Sequence, residues 1–257
     1  MKKKIAIITG ASSGMGREFA ETIEKGGKFD EVWLIARRIE RLEEVAKKLP
    51  IPAKILPYDL TDRENLKKIE ELLTEEKPLV SLLVNAAGFG KFEATVSTEL
   101  SENLNMMDLN CGALMAMCQM CVPYMSSGSH IINFASVASV QPIPYINVYG
   151  ATKAFVLSFS RALNRELKGR GITVTAVMPF WTETEFFDRA VSKDELIVKN
   201  YAAMYQPEQL VKRAWRNSLK GKDTAKFGFI ARGQMLLAKI LPHSLIMTAW
   251  MKQQKLK

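Results

Sequence analysis

Lys4-Ile5-Ala6-Ile7-Ile8-Thr9 runs straight into Gly10-Ala11-Ser12-Ser13-Gly14-Met15-Gly16. The first part is apolar with no polar face, the pattern of a strand buried on both sides. From Gly14 onward Phe19, Ala20 and Ile23 recur at helical spacing. Strand, Gly-rich turn and helix start, in that order, make an anion site. Glycine lets the backbone turn tightly and approach a pyrophosphate with no Cβ in the way, and the helix start offers free N–H groups. A glycine triplet alone is a weak signal, with an ordinary Gly-rich turn as its alternative; the strand before it and the helix after it give it weight.

Working outward, the alternation repeats. Val32–Ala36 reads as a strand and Ile39–Leu49 as a charged helix; Ile55-Leu56 is a short strand before a helix over about 63–75, with Thr61 or Asp62 as N-cap. Leu79–Val84, Ser129–Phe134 and Ile172–Val177 are further apolar runs, the last two preceded by helical patterns over about 101–125 and 148–168. Lys226–Ile230 is the candidate for a last strand. Apolar strands alternating with helices imply a parallel sheet covered on both faces, and right-handed crossovers make it doubly wound. With 257 residues, 47% hydrophobic and 25% charged, the chain can bury a large core; disordered, collagen-like and disulfide-stapled classes are excluded. One domain is expected over 1–232, with an extension over 233–257. The apolar part of residues 1–8 is too short for a signal peptide, and three cysteines suit a reducing, cytoplasmic setting.

Further residues complete a pattern. The glycines are spaced Gly10-x-x-x-Gly14-x-Gly16; Asp59 follows the third strand, Asn85-Ala86-Ala87-Gly88 the fourth, and Asn110 lies in the next helix. Ser136 comes 13 residues before Tyr149, and Tyr149-Gly150-Ala151-Thr152-Lys153 carries a Tyr-x-x-x-Lys spacing. From Ile5 to about Thr184 this ordered set resembles the short-chain dehydrogenase/reductase family. The resemblance implies a single-domain, doubly wound Rossmann fold of class α/β, with a mostly parallel seven-stranded sheet. It implies an oxidoreductase moving a hydride between a nicotinamide and a ketone or secondary alcohol. Gly10, Ser12, Ser13, Gly14, Met15 and Gly16 would then cradle the cofactor, with Asp59 and Leu60 at the adenine and Asn85, Ala86, Ala87 and Gly88 on the adenosine side. Pro179 and Thr184, or Thr182 if the loop shifts, would meet the nicotinamide end.

The second strand ends in Ala36, where an acid would bind a ribose 2′-hydroxyl, and Arg37-Arg38 follow instead. Guanidinium is the better fork for a phosphate. Arg17, behind the glycine loop, is a further basic position resembling NADP-preferring members of the family. Solvated helix-start residues are the alternative; the missing acid favours NADP(H).

Reducing a carbonyl leaves charge on its oxygen, so the site needs a proton donor. A free tyrosine, with a pKa of about 10, gives up its proton reluctantly near neutrality. Lys153, one helical turn from Tyr149, shares its helix face, and an ammonium there lowers the phenol pKa. Tyr149 is the expected acid in reduction and base in oxidation. The family pattern implies Lys153 on the nicotinamide ribose, Ser136 on the substrate oxygen, and Asn110 holding a water relayed to Lys153. Phe180 stands where the family usually has Gly, and Ala135 where many members have a first Ser.

The expected substrate lid, about 180–206, carries Trp181, Phe186, Phe187, Tyr201, Met204 and Tyr205. With Phe89, Phe92, Val137, Gln141, Ile143 and Tyr145 as further candidate walls, it favours a bulky apolar ketone such as a steroid or bile acid. A 3-oxoacyl thioester fits the same composition, and a non-catalytic dinucleotide sensor is the alternative of another class.

The charge is uneven. Of 36 basic residues, 11 lie in 212–257 against the single acid Asp223, and the remainder of the chain is almost balanced. That argues against a nucleic-acid partner. Residues 234–251 are apolar but interrupted by Lys239 and Pro242, too broken to span a membrane. They read as amphipathic pieces that lie on an anionic membrane surface, or pack on the lid or another subunit. Cys118-Gln119-Met120-Cys121 has metal-like spacing but no second pair beside it, so no metal is expected. The family resemblance implies a homodimer or homotetramer, formed through the helices near 101–125 and 148–168.

Overall fold

The computed structural model describes residues 2–191, 197–201 and 203–256. Seven strands, Lys4–Thr9 (β1), Glu31–Ile35 (β2), Ala53–Leu56 (β3), Leu79–Asn85 (β4), His130–Phe134 (β5), Thr173–Met178 (β6) and Thr224–Lys226 (β7), form one sheet. Their order is β3-β2-β1-β4-β5-β6-β7, and every neighbouring pair is parallel. Side chains along β1 alternate between two cores, as the strand period requires. Ile5 and Ile7 point to the face covered by α3 (Arg63–Glu76), α5 (Leu114–Cys121) and α6 (Asn147–Leu167), where they join Ile69, Met117 and Val156. Ala6 and Ile8 face α1 (Gly14–Glu21), α2 (Ile39–Ala46) and α8 (Pro207–Leu219), with Phe19, Leu42 and Trp215. Glu31 is a carboxylate buried in β2, and it is paired: Lys3 donates to it at 2.7 Å and the Trp33 indole at 2.8 Å.

The chain leaves β1 toward β2 and β3, then returns to the other side of β1 as β4. The loops after β1 and β4 therefore part, and a crevice opens between them at the strands' carboxyl ends. At the base of the crevice the Ala87 amide donates to the hydroxyl of Thr9, the last residue of β1, at 3.1 Å.

Three local expectations shift. The last strand is Thr224–Lys226, not Lys226–Ile230, because Gly228, at φ +86°, turns the chain and Phe229 opens α9 (Phe229–Ile240). The helix expected over 101–125 divides into α4 (Leu100–Met107), a π turn over Asp108–Ala113 and α5. Past Pro242, α10 (His243–Gln254) packs against the lid and the segment before α6: the fully buried Gln254 accepts from the Lys199 and Asn200 amides, and the Trp250 indole donates to the Pro144 carbonyl at 3.1 Å. Of the expected lid, residues 192–196 and 202 lie outside the described residues; its one described helix is α7 (Phe186–Ala190). Among the described residues, no helix is long and apolar enough to cross a membrane.

Candidate active site

The crevice continues into a cleft of about 2330 Å³, counting its open mouth, lined by Gly10, Ser12, Ser13, Gly14, Met15, Gly16, Arg37, Arg38, Asp59, Leu60, Ala86, Ala87, Gly88 and Thr184. The turn after β1 accepts only glycine at two points. A Cβ on Gly16 would lie 2.3 Å from the Gly10 carbonyl oxygen; one on Gly10, at φ +66°, would lie 2.7 Å from the Ala87 nitrogen. Helix α1 has no acidic residue in its first turn and no side-chain cap, so its leading amides are left for an anion. These features fit a dinucleotide pyrophosphate.

At the ribose end, Arg37 lies 3.7 Å from Asp59. Burial works to raise the Asp59 carboxyl, but the Thr61 amide and hydroxyl and then Arg37 outweigh it and hold it below the ordinary carboxylate range. Arg38 donates to the Ser12 hydroxyl at 3.3 Å and to Glu185 at 3.1 Å; Arg41 donates to Glu185 at 2.5 Å. Arg41 and Glu185, which also line the cleft, are absent from the sequence reading. Arg41 was findable, since it lies one helical turn beyond Arg38. Glu185 reaches across from the lid and gives no local signal.

Two expected cofactor residues stand elsewhere. Arg17 is outside the cleft lining, because it pairs with Glu21 one turn along α1 at 3.0 Å. The Asn85 side chain turns into the sheet, donating to Asn133 at 2.9 Å and to the Cys118 sulfur, so only the residues after it face the cleft.

Met15, Ala86, Gly88, Thr184 and Phe186 line both this cleft and a second chamber, which is walled by Ser136, Tyr149, Lys153, Pro179 and Thr182 together with Phe92, Ile143, Ile146, Phe180, Trp181 and Phe187. Among the described residues, Lys153 is the only charged side chain on that wall. The other aromatics expected there have structural posts: Tyr201 packs behind Trp181 with rings 5.2 Å apart, and Tyr205 edges onto Phe227 at 5.0 Å. Phe89 lies under the Arg189 guanidinium at 3.3 Å. Phe180 packs its ring beside Trp181 at 5.9 Å and narrows the chamber where the family usually has Gly.

Tyr149 and Lys153 share one face of α6, the ammonium 5.6 Å from the phenol ring centroid. Lys153 also donates to the Phe134 carbonyl at 2.8 Å, tying α6 to the end of β5. The expected acidification of Tyr149 by its lysine is not realised in this arrangement. Burial pushes the phenol up to about 12, only partly opposed by the Ser136 hydroxyl, and burial pushes Lys153 down to about 8. The Ser136 hydroxyl accepts from the Ala138 amide at 3.1 Å, which fixes it at the strand's end. Asn110, in the π turn, commits its side chain to the neighbouring loop: its oxygen accepts from the Phe89 amide at 3.0 Å, and its nitrogen donates to the Phe89 carbonyl and the Thr152 hydroxyl. It is therefore a positioning group for the loop after β4.

Comparison with known proteins agrees with this geometry. The family model described as short chain dehydrogenase matches residues 4–195. An uncharacterized oxidoreductase of Staphylococcus epidermidis is 32% identical over 186 residues, covering 72% of this chain and 80% of that protein. The very-long-chain 3-oxoacyl-CoA reductase-B of Danio rerio is 30% identical, covering 95% and 78%. Among solved structures, a short-chain dehydrogenase from Sphingobium yanoikuyae in complex with NADPH superposes with TM-score 0.77 at 28% identity, covering 95% of each chain. The bulky-bulky ketone specific alcohol dehydrogenase from Comamonas testosteroni superposes with TM-score 0.73 at 25% identity, covering 95% of this chain and 93% of that one. The chain belongs to the short-chain dehydrogenase family and is a Rossmann-fold oxidoreductase.

Proposed function

We propose that the protein is an NADPH-dependent reductase of bulky apolar ketones, able to run in reverse on the secondary alcohols. One observation carries this reading: a continuous cleft has guanidiniums at one end and, at the other, Tyr149 and Ser136 inside an apolar, largely aromatic chamber. When bound, the nicotinamide supplies the hydride in reduction and accepts it in oxidation. Ser136 donates a hydrogen bond to the carbonyl oxygen, and Tyr149 delivers the proton as negative charge develops there. Lys153 would hold the nicotinamide ribose, and its hydrogen bond to the Phe134 carbonyl fixes it beside Tyr149 at the end of β5. Arg37, Arg38 and Arg41 favour the 2′-phosphate of NADP(H), with no carboxylate at the end of β2 to prefer the 2′-hydroxyl.

Among the described residues the chamber's one charged group is the proposed catalytic lysine and most of the remaining lining is apolar, which supports an apolar ketone of steroid or bile-acid bulk. A 3-oxoacyl thioester is the second reading, favoured by the similarity to the fish reductase; its acyl chain would occupy the same chamber with its carrier outside. An oligomer formed through α4, α5 and α6 belongs to the proposal, as does work in a reducing, cytoplasmic setting, where Cys111, Cys118 and Cys121 stay free.

Tyr149→Phe tests the chemistry. Turnover of an apolar ketone with NADPH should fall by about 10²–10⁴-fold, the usual contribution of a positioned acid, while NADPH binding measured by nicotinamide fluorescence persists. Retained turnover would remove Tyr149 as the acid. A panel of free ketones and 3-oxoacyl thioesters, assayed with NADPH and NADH, separates the two substrate readings.

A further inference from the structure

We infer that the outward face of α9, continued into the start of α10, docks on an anionic lipid bilayer. Helix α9 buries Ala231, Met235 and Ala238 and turns Phe229, Leu236, Leu237 and Ile240 to solvent, with exposures of 89%, 59%, 54% and 68%. Leu245, on the first turn of α10, is 59% exposed as well. Single exposed apolar side chains are ordinary, but a whole helix face of them marks an interaction surface.

Charge selects the partner. Residues 224–257 contain no Asp or Glu, and Arg232 and Lys239 are exposed on α9 itself. An apolar face carrying cations and no carboxylate is the pattern of a helix lying in a lipid headgroup region, its Leu and Phe side chains sunk past the phosphates that its Lys and Arg meet. A second copy of the chain suits this face poorly. A two-fold contact would set the Arg232 and Lys239 of one copy against the same cationic patch of the other, with no acid on the patch to receive them. The inner side of the same helix packs in one cluster with Val137 and Phe180, beside the substrate chamber. Docking would therefore hold that chamber near the phase in which an apolar ketone dissolves; this consequence rests on the proposed substrate class, whereas the docking does not.

Sedimentation of the full chain with vesicles tests the docking without any assay of turnover. The chain should pellet with phosphatidylcholine vesicles containing phosphatidylserine, much less with phosphatidylcholine alone, and progressively less as added salt shortens the Debye length. The triple variant Leu236→Gln, Leu237→Gln, Ile240→Gln should partition at least about tenfold more weakly, since the apolar area it would bury is lost. Arg232→Gln with Lys239→Gln should lose the preference for anionic vesicles. Both variants should keep parental NADPH binding, which controls for folding. No pelleting of the parent with anionic vesicles would overturn the inference, as would parental pelleting of either variant. A triple variant that changes oligomer mass would identify the face as a contact between copies and overturn it too.

Discussion

Glu185 occupies the guanidiniums of Arg38 and Arg41, and under the proposed use of NADP(H) it would compete with the ribose 2′-phosphate for them, because a carboxylate offers the same fork of acceptors that a phosphate does. Burial raises the Glu185 carboxyl, but the Arg41 and Arg38 contacts hold it below its ordinary range, so it is an anion at neutral pH. All three side chains are about 40% exposed or more, which keeps the pair weak in free energy. Glu185→Gln should therefore lower the KM for NADPH by roughly threefold and leave the KM for NADH unchanged. High salt should shrink the difference. An equal change in both constants would mean that Glu185 does not act on the phosphate. Arg37→Ala and Arg38→Ala form the separate check on the cofactor preference: if neither weakens NADPH relative to NADH, that preference has another origin. Lys153 gives a pH dependence of known sign. Its folded pKa of about 8 lies below the unfolded value, so from about pH 8 to 10.5 the unfolded chain binds more protons and stability rises with pH. The charged, buried lysine costs stability below that window. Lys153→Met should thus raise the cofactor-free Tm at pH 7 while abolishing turnover, and its advantage over the parent should narrow as pH rises toward 10. A gap that stays constant with pH would contradict the depressed pKa.

At the scale of elements, the tail and lid are joined by one side chain. Gln254 accepts from the amides of Lys199 and Asn200 at 2.8 and 3.0 Å and donates to the Asn200 carbonyl at 3.1 Å, standing in for a strand partner. Gln254→Ala leaves these part-buried backbone groups unpaired, at a cost of about 1–3 kcal/mol. Because the contact lies on the lid and away from the pyrophosphate turn, we expect a higher KM for ketone, a lower Tm, and unchanged NADPH affinity. A shift in NADPH affinity of the same size would place the effect in the whole fold, not the lid. The same element shows where sequence reading stops. β1, its glycine turn and the Tyr149–Lys153 helix face were legible because each is a local period with a fixed hand and spacing. The role of Gln254 was not, since a glutamine in a polar tail gives no sign of a partner 54 residues away. The π turn at Asn110 was missed for a related reason: it sits inside an apolar helical period that a continuous helix would also satisfy. The Lys153 and Tyr149 shifts escaped too, because i+4 spacing reports shared direction on a helix, whereas burial comes from β5 and the lid.

For the whole molecule, the question is what covers the side opposite the cleft helices. Helices α4 and α6 pack on one another and leave Leu104, Met107 and Phe155 at 52%, 52% and 40% exposure, and Met115 of α5 is 41% exposed. Phe155 stacks on Phe159, rings 5.7 Å apart and nearly parallel, which makes a flat apolar plate in place of a mobile side chain. Unlike the α9 face, this one has an acid and a base to offer a second copy: Glu99 beside α4 and Arg165 on α6 are exposed, whereas Glu102 is held by Arg189 and Arg161 by Asp223. A two-fold pairing can therefore bury the plate and match charge around it. Phe155→Glu places a carboxylate on the plate, and two-fold symmetry brings its copy nearby. In light scattering after size exclusion, the parent should have at least the mass of a dimer and the variant the mass of a monomer, with NADPH binding kept because Phe155 touches neither chamber nor cleft. A monomeric parent, or a variant that keeps the parental mass, would rule this face out as the subunit contact.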